Sequence, residues 1–483
     1  MEYRRFLTAA VIFASPLTLP VSALDGGTLQ ISPKNGWEAF EVISIGEDVP
    51  GDGFSYALPG IFDGLGAQRD GSKLRIQLNH ETGDASITQV VLNRANFQTA
   101  ISNVIANGGG NTGGVSFVTS ASQAYTRWSA DGGSAWTATT NTSNTSFARF
   151  CSGQSYLPNT FGAGRGFVDD IYVTGEEVSG GRLFALDIDN DDFYQVSGVT
   201  GAGGAGLTGI PFDAYENAAL VDTGETNHVA MVLAPDGGSQ ILMLYVGEKG
   251  KDASGNASND FLARNGLAYG SHYYFNAPIP GSVGATQAGG TFDTTLAGVF
   301  ASGKLEDVDT NPNTPDEFVL ADQTDGVYTF DLALDFTGGA FNAVSSGFSV
   351  TKIADDGASA EDIFNNPDNI EWTASTTLDG TTYPDGLIFV NEDHSSGEVW
   401  VMNPDGSDMV SIAKTIPSVE STGILDISDL VGYLPGSVLL TNNQGSSSSM
   451  SVLINPDATL VPEPASLVLL GLAGCLLAGR RRR

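Results

Sequence analysis

One pattern recurs six times along this chain and limits what it can fold into. An apolar stretch of strand length runs into a polar turn, and a second apolar stretch leads away. The turns are Asn79-His80-Glu81, Gly175-Glu176-Glu177, Pro235-Asp236-Gly237, Asp322-Gln323-Thr324-Asp325, Asn391-Glu392-Asp393 and Asn442-Asn443-Gln444. Each reads as a β-hairpin. A lone hairpin leaves two unpaired edges, so each needs neighbours, and radial closure hides the edges best. The spacing is too irregular for a tight repeat of ~40–45 residues. It fits a propeller whose blades carry loops of variable length. The expected fold is all-β: a single six-bladed β-propeller over residues 24–460 with long inter-blade loops. Residues 27–49 are expected to supply the strand that latches the ring. A β-sandwich, or two stacked β domains, is the competing arrangement.

Composition supports strands and turns. Gly accounts for 61 of 483 residues, and hydrophobic residues make up 41%. That is apolar enough to bury a core. The chain has 56 acidic and 21 basic residues and a net charge of −35. Such a surface repels phosphate backbones, so nucleic acid is excluded as a main partner. Anionic membrane surfaces are equally disfavoured. Acidic exported proteins can hold Ca²⁺, which takes carboxylate oxygens.

Both ends read as addresses. Arg4 and Arg5 precede an apolar run at 6–19, and Val21-Ser22-Ala23 offers a small-x-small cleavage site. Residues 1–23 are therefore expected to be a signal peptide. At the other end, Pro462-Glu463-Pro464 precedes an apolar run at 465–479 and Arg480 to Arg483. The run reads as a short transmembrane helix with its Arg cluster on the cytoplasmic side. Residues 461–483 resemble the PEP-CTERM sorting signal of Gram-negative bacteria. The resemblance implies an exosortase-type processing enzyme as partner, acting at Pro462, Glu463 and Pro464. It places the mature protein in the cell envelope or extracellular matrix, in contact with membrane only through the C-terminal segment before processing.

The two cysteines, Cys151 and Cys475, fall in different parts of the chain and are not expected to pair. Cys151 is either a small buried hydrophobe or a metal thiolate. The acidic turns lie at equivalent places in successive hairpins, so Glu81, Glu176, Glu177 and Glu392 should converge on one face. Clustered carboxylates repel unless a cation sits among them. Three further segments, Arg149-Phe150-Cys151-Ser152-Gly153-Gln154, Tyr215-Glu216-Asn217-Ala218 and 365–372, are expected to begin inner strands lining a channel. The stretch from Glu306 to Asn311 reads as a surface loop able to take calcium. No His-x-x-x-His pair and no Gly-x-Ser-x-Gly motif is present.

Taken in order, Asn-His-Glu, Cys-Ser-Gly, Gly-Glu-Glu, Tyr-Glu-Asn-Ala and Asn-Pro-Asp-Asn-Ile resemble the PhoX-type alkaline phosphatase family, over residues 75 to 400. The resemblance implies a propeller with iron and calcium in its channel. It makes Glu81 and Cys151 iron ligands, Glu216 and Asp368 matches to metal-binding glutamates, and Glu176 with Glu177 the pair that helps hold the metals. The chain departs from the family where Asn366-Pro367-Asp368 stands for the frequent Arg-Pro-Glu. An Asn cannot clamp a phosphate bidentately as Arg does. Two functions follow as expectations. One is a metal-dependent phosphomonoesterase acting on a phosphate-ester substrate. The other is a non-catalytic propeller, stabilised by calcium alone, serving at the cell surface or in an exopolysaccharide matrix.

Overall fold

The computed structural model describes residues 29–50, 55–139, 147–198, 209–358 and 361–461. The expected signal peptide at 1–23 lies outside these residues, as does the apolar C-terminal run. No helix among the described residues is long and apolar enough to cross a membrane.

The described chain is built mostly of antiparallel β-strands, with three short helices. All six sequence hairpins form. Lys73–His80 pairs with Ser86–Asn93, Ile171–Glu176 with Leu183–Asp187, and His228–Pro235 with Met243–Glu248. Glu317–Asp322 pairs with Gly326–Ala333, Ile388–Glu392 with Glu398–Met402, and Val438–Gln444 with Ser449–Ile454.

Ahead of each hairpin lies one more strand, paired antiparallel to it. These are β1 (Phe62–Asp70), β2 (Phe150–Tyr156), β3 (Tyr215–Val221), β4 (Leu305–Thr310), β5 (Pro367–Trp372) and β6 (Glu420–Asp426). Each packs against the next, and β6 packs against β1, so the order of neighbours closes on itself. The apolar cores follow the same order, one between each pair of neighbouring sheets. Phe150, Phe184 and Ile87 meet between the first two sheets, and Leu220, Val173 and Met231 between the next two. Phe40, Leu78 and Leu440 fill the seam between the last sheet and the first. Alternating strand residues serve the cores on either side, which is why strands such as His228–Pro235 are buried along their whole length.

The outer edges are closed in different ways. Glu38–Ser44 pairs with Ser449–Ile454, so the start of the described chain completes the last sheet. Ile31–Pro33 covers the outer edge of the fifth. The Gly/Thr-rich stretch around 281–295 contributes Thr286–Asp293, which joins the third and fourth sheets into one of nine strands. The segment after the first hairpin forms a helix, Arg94–Asn107, capped by the Asn93 side chain accepting from the Asn96 N–H at 3.0 Å.

Candidate metal centre

The inner strands share an irregularity that sets the site. In β1 to β5 the pairing slips just after the first residue, from Phe62, Phe150, Tyr215, Leu305 and Pro367. A bulge of this kind leaves residues unpaired and re-aims their side chains. The second residue of each strand is thereby released from the ladder. Those residues are Asp63, Cys151, Glu216, Glu306 and Asp368. β6 slips two residues later, at Gly423, and carries Ser421 at this place.

The five donors meet. Ligand atoms of Asp63, Glu81 and Cys151 lie within 4.8 Å of one another, as do those of Cys151, Glu177 and Glu216, and of Glu216, Glu306 and Asp368. The three groups share Cys151 and Glu216, so they form one continuous row. Glu81 and Glu177 reach it from the hairpins: each is the first residue past its strand, after His80 and Glu176. Asp236 and Asp393 hold that place in the third and fifth hairpins.

Neutral groups fix the row from behind. Ser152 donates to Glu216 Oε1 through its N–H at 3.1 Å and its hydroxyl at 2.7 Å. Asn79 Nδ2 donates to the Cys151 carbonyl at 2.7 Å, to the Ser152 carbonyl at 3.1 Å and to Thr174 Oγ1 at 2.8 Å. Asn369 crosses from β5, donating to Ser152 Oγ at 2.6 Å while accepting from Thr422 Oγ1 at 2.7 Å. Gly64 lies so close to the Cys151–Gly153 backbone that a Cβ would meet the Cys151 carbonyl oxygen at 2.3 Å.

Positive charge is scarce. Arg149 Nη2 pairs with Glu81 at 2.7 Å and Glu177 at 2.5 Å. Lys304 Nζ pairs with Glu306 at 2.5 Å, Asp393 at 3.3 Å and Asp236 at 3.5 Å. Without further cations, burial pushes Asp63, Glu216 and Asp368 well above the ordinary carboxylate range, and neighbouring carboxylates push the same way. Burial, then the Glu216 charge, likewise raises the Cys151 thiol. Burial brings Glu177 to about 7. Glu420, at the head of β6, is driven to about 10 by burial and then by Asp393. Such groups carry protons unless a cation takes their place. The Cys151 thiol donates to Glu177 Oε2 at 3.0 Å, holding one such proton. A thiol among carboxylates suits a transition metal, and the all-carboxylate group of Glu216, Glu306 and Asp368 suits calcium. The donor set therefore fits bound cations.

Not every expected residue joins. Glu176 gives its carboxylate to Arg182 Nε at 2.6 Å, Arg182 N at 3.1 Å and Ala148 N at 3.0 Å. Glu392 accepts from Trp400 Nε1 at 2.8 Å, Glu398 N at 2.9 Å and Asn365 N at 3.0 Å. Both are the last residue of their strand and fold back onto their own turn, so neither belongs to the three groups. Of the four turn glutamates expected on one face, the structure brings Glu81 and Glu177 to the row and places Glu176 and Glu392 on these other partners. Asp63, which sequence reasoning missed, and Glu306, expected only as part of a calcium-binding surface loop, stand in the row. Glu306 lies in a buried strand, not the surface loop expected there.

Comparison with known proteins bears on the fold. Among the solved structures that share it is one phosphatase complex. It is Pseudomonas fluorescens PhoX in complex with vanadate, a transition state analogue, with a TM-score of 0.57 and 12% identity, over 89% of this chain and 97% of that one. At the C-terminus, residues 460–483 match the PEP-CTERM protein-sorting motif. The motif implies export to the cell envelope and processing by an exosortase. No curated protein matches the sequence.

Proposed function

We propose that the chain is a six-bladed β-propeller that hydrolyses phosphomonoesters outside the cytoplasm, with metal ions held at one end of its channel. One observation carries this reading: the second residues of five successive inner strands converge into overlapping groups of metal-ligand type. A structural role alone does not call for a row of buried acids, because each costs desolvation that only a proton or a cation relieves.

Asp63, Glu81 and Cys151, with Glu177 beside them, would hold a transition metal such as iron. Glu216, Glu306 and Asp368 would hold calcium. Bound there, the cations supply neutralisation of phosphoryl charge and polarisation of the phosphorus centre. The chain's own residues do the rest. Ser152 and Asn79 lock the β2 bulge and so orient Cys151 and Glu216. Arg149, with its side chain about half exposed, is poised to turn from Glu81 and Glu177 toward an anionic substrate.

The second reading, a non-catalytic propeller stabilised by calcium, is favoured by Asn366. Its side-chain amide donates to the Asp393 carbonyl at 3.2 Å and its N–H to Asp356 at 2.8 Å, so it supplies no clamp for phosphate. Elemental analysis of the purified mature protein, paired with an assay on an aryl phosphate, separates the two. Iron with calcium and metal-dependent turnover supports the enzyme. Calcium alone, with no turnover in the loaded protein, supports the second reading.

A further inference from the structure

The residue just before each inner strand occupies an equivalent place at one end, the mouth, of the ring of inner strands. From β1 to β6 these are Ile61, Arg149, Ala214, Lys304, Asn366 and Val419. Ile61, Arg149 and Asn366 share the left-handed backbone conformation, with φ of 54°, 49° and 45°. That region is unfavourable for a β-branched residue such as Ile61, so its recurrence marks a constrained corner. The two cations of the site, Arg149 and Lys304, both stand at this place.

Lys304 has an unusual setting. Its Nζ lies between Glu306 of β4, Asp236 from the third hairpin and Asp393 from the fifth. Glu306 and Asp236 are buried, with 2% and 4% of their surface exposed. An ammonium has three N–H donors and no acceptor. Three carboxylates from three successive sheets surround the ammonium as ion-pair partners, and Asp393 Oδ2 also accepts a hydrogen bond from it at 3.3 Å. Gln323, from the fourth hairpin, also donates to Asp393 and keeps that carboxylate turned toward Lys304.

We propose that the Lys304 ammonium is a tethered counter-cation that fills this corner of the mouth in place of a metal ion. Asp236 and Asp393 are then held by the chain's own charge and do not serve as metal ligands. Glu306 is shared: one side faces Lys304, the other faces Glu216 and Asp368. The arrangement ties the third, fourth and fifth sheets together at the mouth without a divalent ion. It also restores, one sheet earlier, a positive charge at the place where Asn366 has none. The inference rests on the reading of the row as a metal centre, but its test stands apart from that reading.

The test is calcium stoichiometry and thermal unfolding of the purified mature protein, as wild type, Lys304→Met and Lys304→Arg. Lys304→Met leaves three carboxylates around a vacated cation place. It is expected to bind one more Ca²⁺ per chain than wild type, with a melting temperature that falls in chelator and recovers in Ca²⁺. Lys304→Arg keeps the charge and is expected to keep the wild-type ion count. An unchanged or lower count in Lys304→Met overturns the proposal. If wild type binds no metal and Lys304→Met binds one ion, the counter-cation stands while the metal centre falls. If neither binds any, both fall. Should Lys304→Met yield no soluble protein, the double variant Asp236→Asn/Lys304→Met decides. It removes one charge of each sign, and is expected to fold with the wild-type count. Failure to fold, or a higher count, overturns the proposal.

Discussion

Glu176 and Glu177 are adjacent in sequence and do different chemistry. Glu176 is the last residue of its strand, and it takes the backbone and side chain of Arg182 across the turn. Glu177 is one step further, where the chain has left the ladder and the side chain points to the row. The same step separates Glu392 from Asp393. A Gly-Glu-Glu triplet does not say where the strand ends, so the sequence shows two candidate ligands where the fold brings one to the row. Substitution separates them. Glu177→Gln is expected to lower metal content and any metal-dependent turnover by ~100-fold or more, as loss of a ligand exceeds the ~10–100-fold effect of losing a residue that supports one. Glu176→Gln is expected to leave metal content near wild type. It should cost about 1–3 kcal/mol of stability, because the half-buried Arg182 loses its charged partner. Denaturant unfolding alongside elemental analysis reads both. Equal metal loss in the two variants would show that the end of the strand does not sort them.

At the scale of the element, the hairpins were legible and the inner strands only partly so. Hairpins announce themselves by apolar alternation broken by a polar turn. An inner strand carries its chemistry at a bulge, and a bulge interrupts the alternation that would reveal it. Cys151, Glu216 and Asp368 were found from local motifs. Asp63, in Phe62-Asp63-Gly64, had no such motif. Glu306 sat in an acidic run that resembled a loop. The signal that could have found both is position: each stands a strand length ahead of a hairpin, as Glu216 does. Gly64 gives a prediction at this scale. Its Cα faces the β2 backbone, and an added Cβ would meet Cys151 O at 2.3 Å and Ser152 Cα at 2.6 Å. Those atoms belong to the bulge itself and cannot yield without moving the Cys151 thiol. Gly64→Ala is therefore expected to cost roughly 1–3 kcal/mol through overpacking. It should also weaken metal retention, measured as loss of bound ions on dialysis. Unchanged retention would mean that the two bulges are not in register as described. A matching test is Asn79→Ala, which removes three hydrogen bonds at the same bulge and is expected to act in the same direction.

At the scale of the whole molecule, the charge that was plain in the composition acquires a location. An acidic chain keeps itself soluble and repels itself, yet here several acids are buried at one end of the inner strands. Others lie further along them. Burial brings Asp307 to about 6 and Asp309 to about 7. These values, with about 7 for Glu177, sit above the ordinary carboxylate values near 4. The sign follows from proton linkage. A group raised in the folded state binds more protons folded than unfolded, so its stabilisation is full below about pH 4 and is lost as pH rises through about 6 to 7. Protein stripped of metal by a chelator is therefore expected to melt at a lower temperature at pH 8 than at pH 5. With calcium present the loss at high pH should shrink, because cations replace protons among Glu216, Glu306 and Asp368 and bind only the folded state. Asp307 and Asp309 keep their raised values although they accept from Ile370 N, Trp372 N and Gln154, and they lie outside the three groups. The residual pH dependence in calcium should therefore come from Asp307 and Asp309, together with Glu177 and Glu420. Thermal melts at pH 5 and pH 8, each in chelator and in calcium, give the four numbers needed. A metal-free protein that is equally stable at both pH values would show that the row is neutralised by something other than protons and cations. A calcium effect as large at pH 5 as at pH 8 would show that the ions do not compete with those protons.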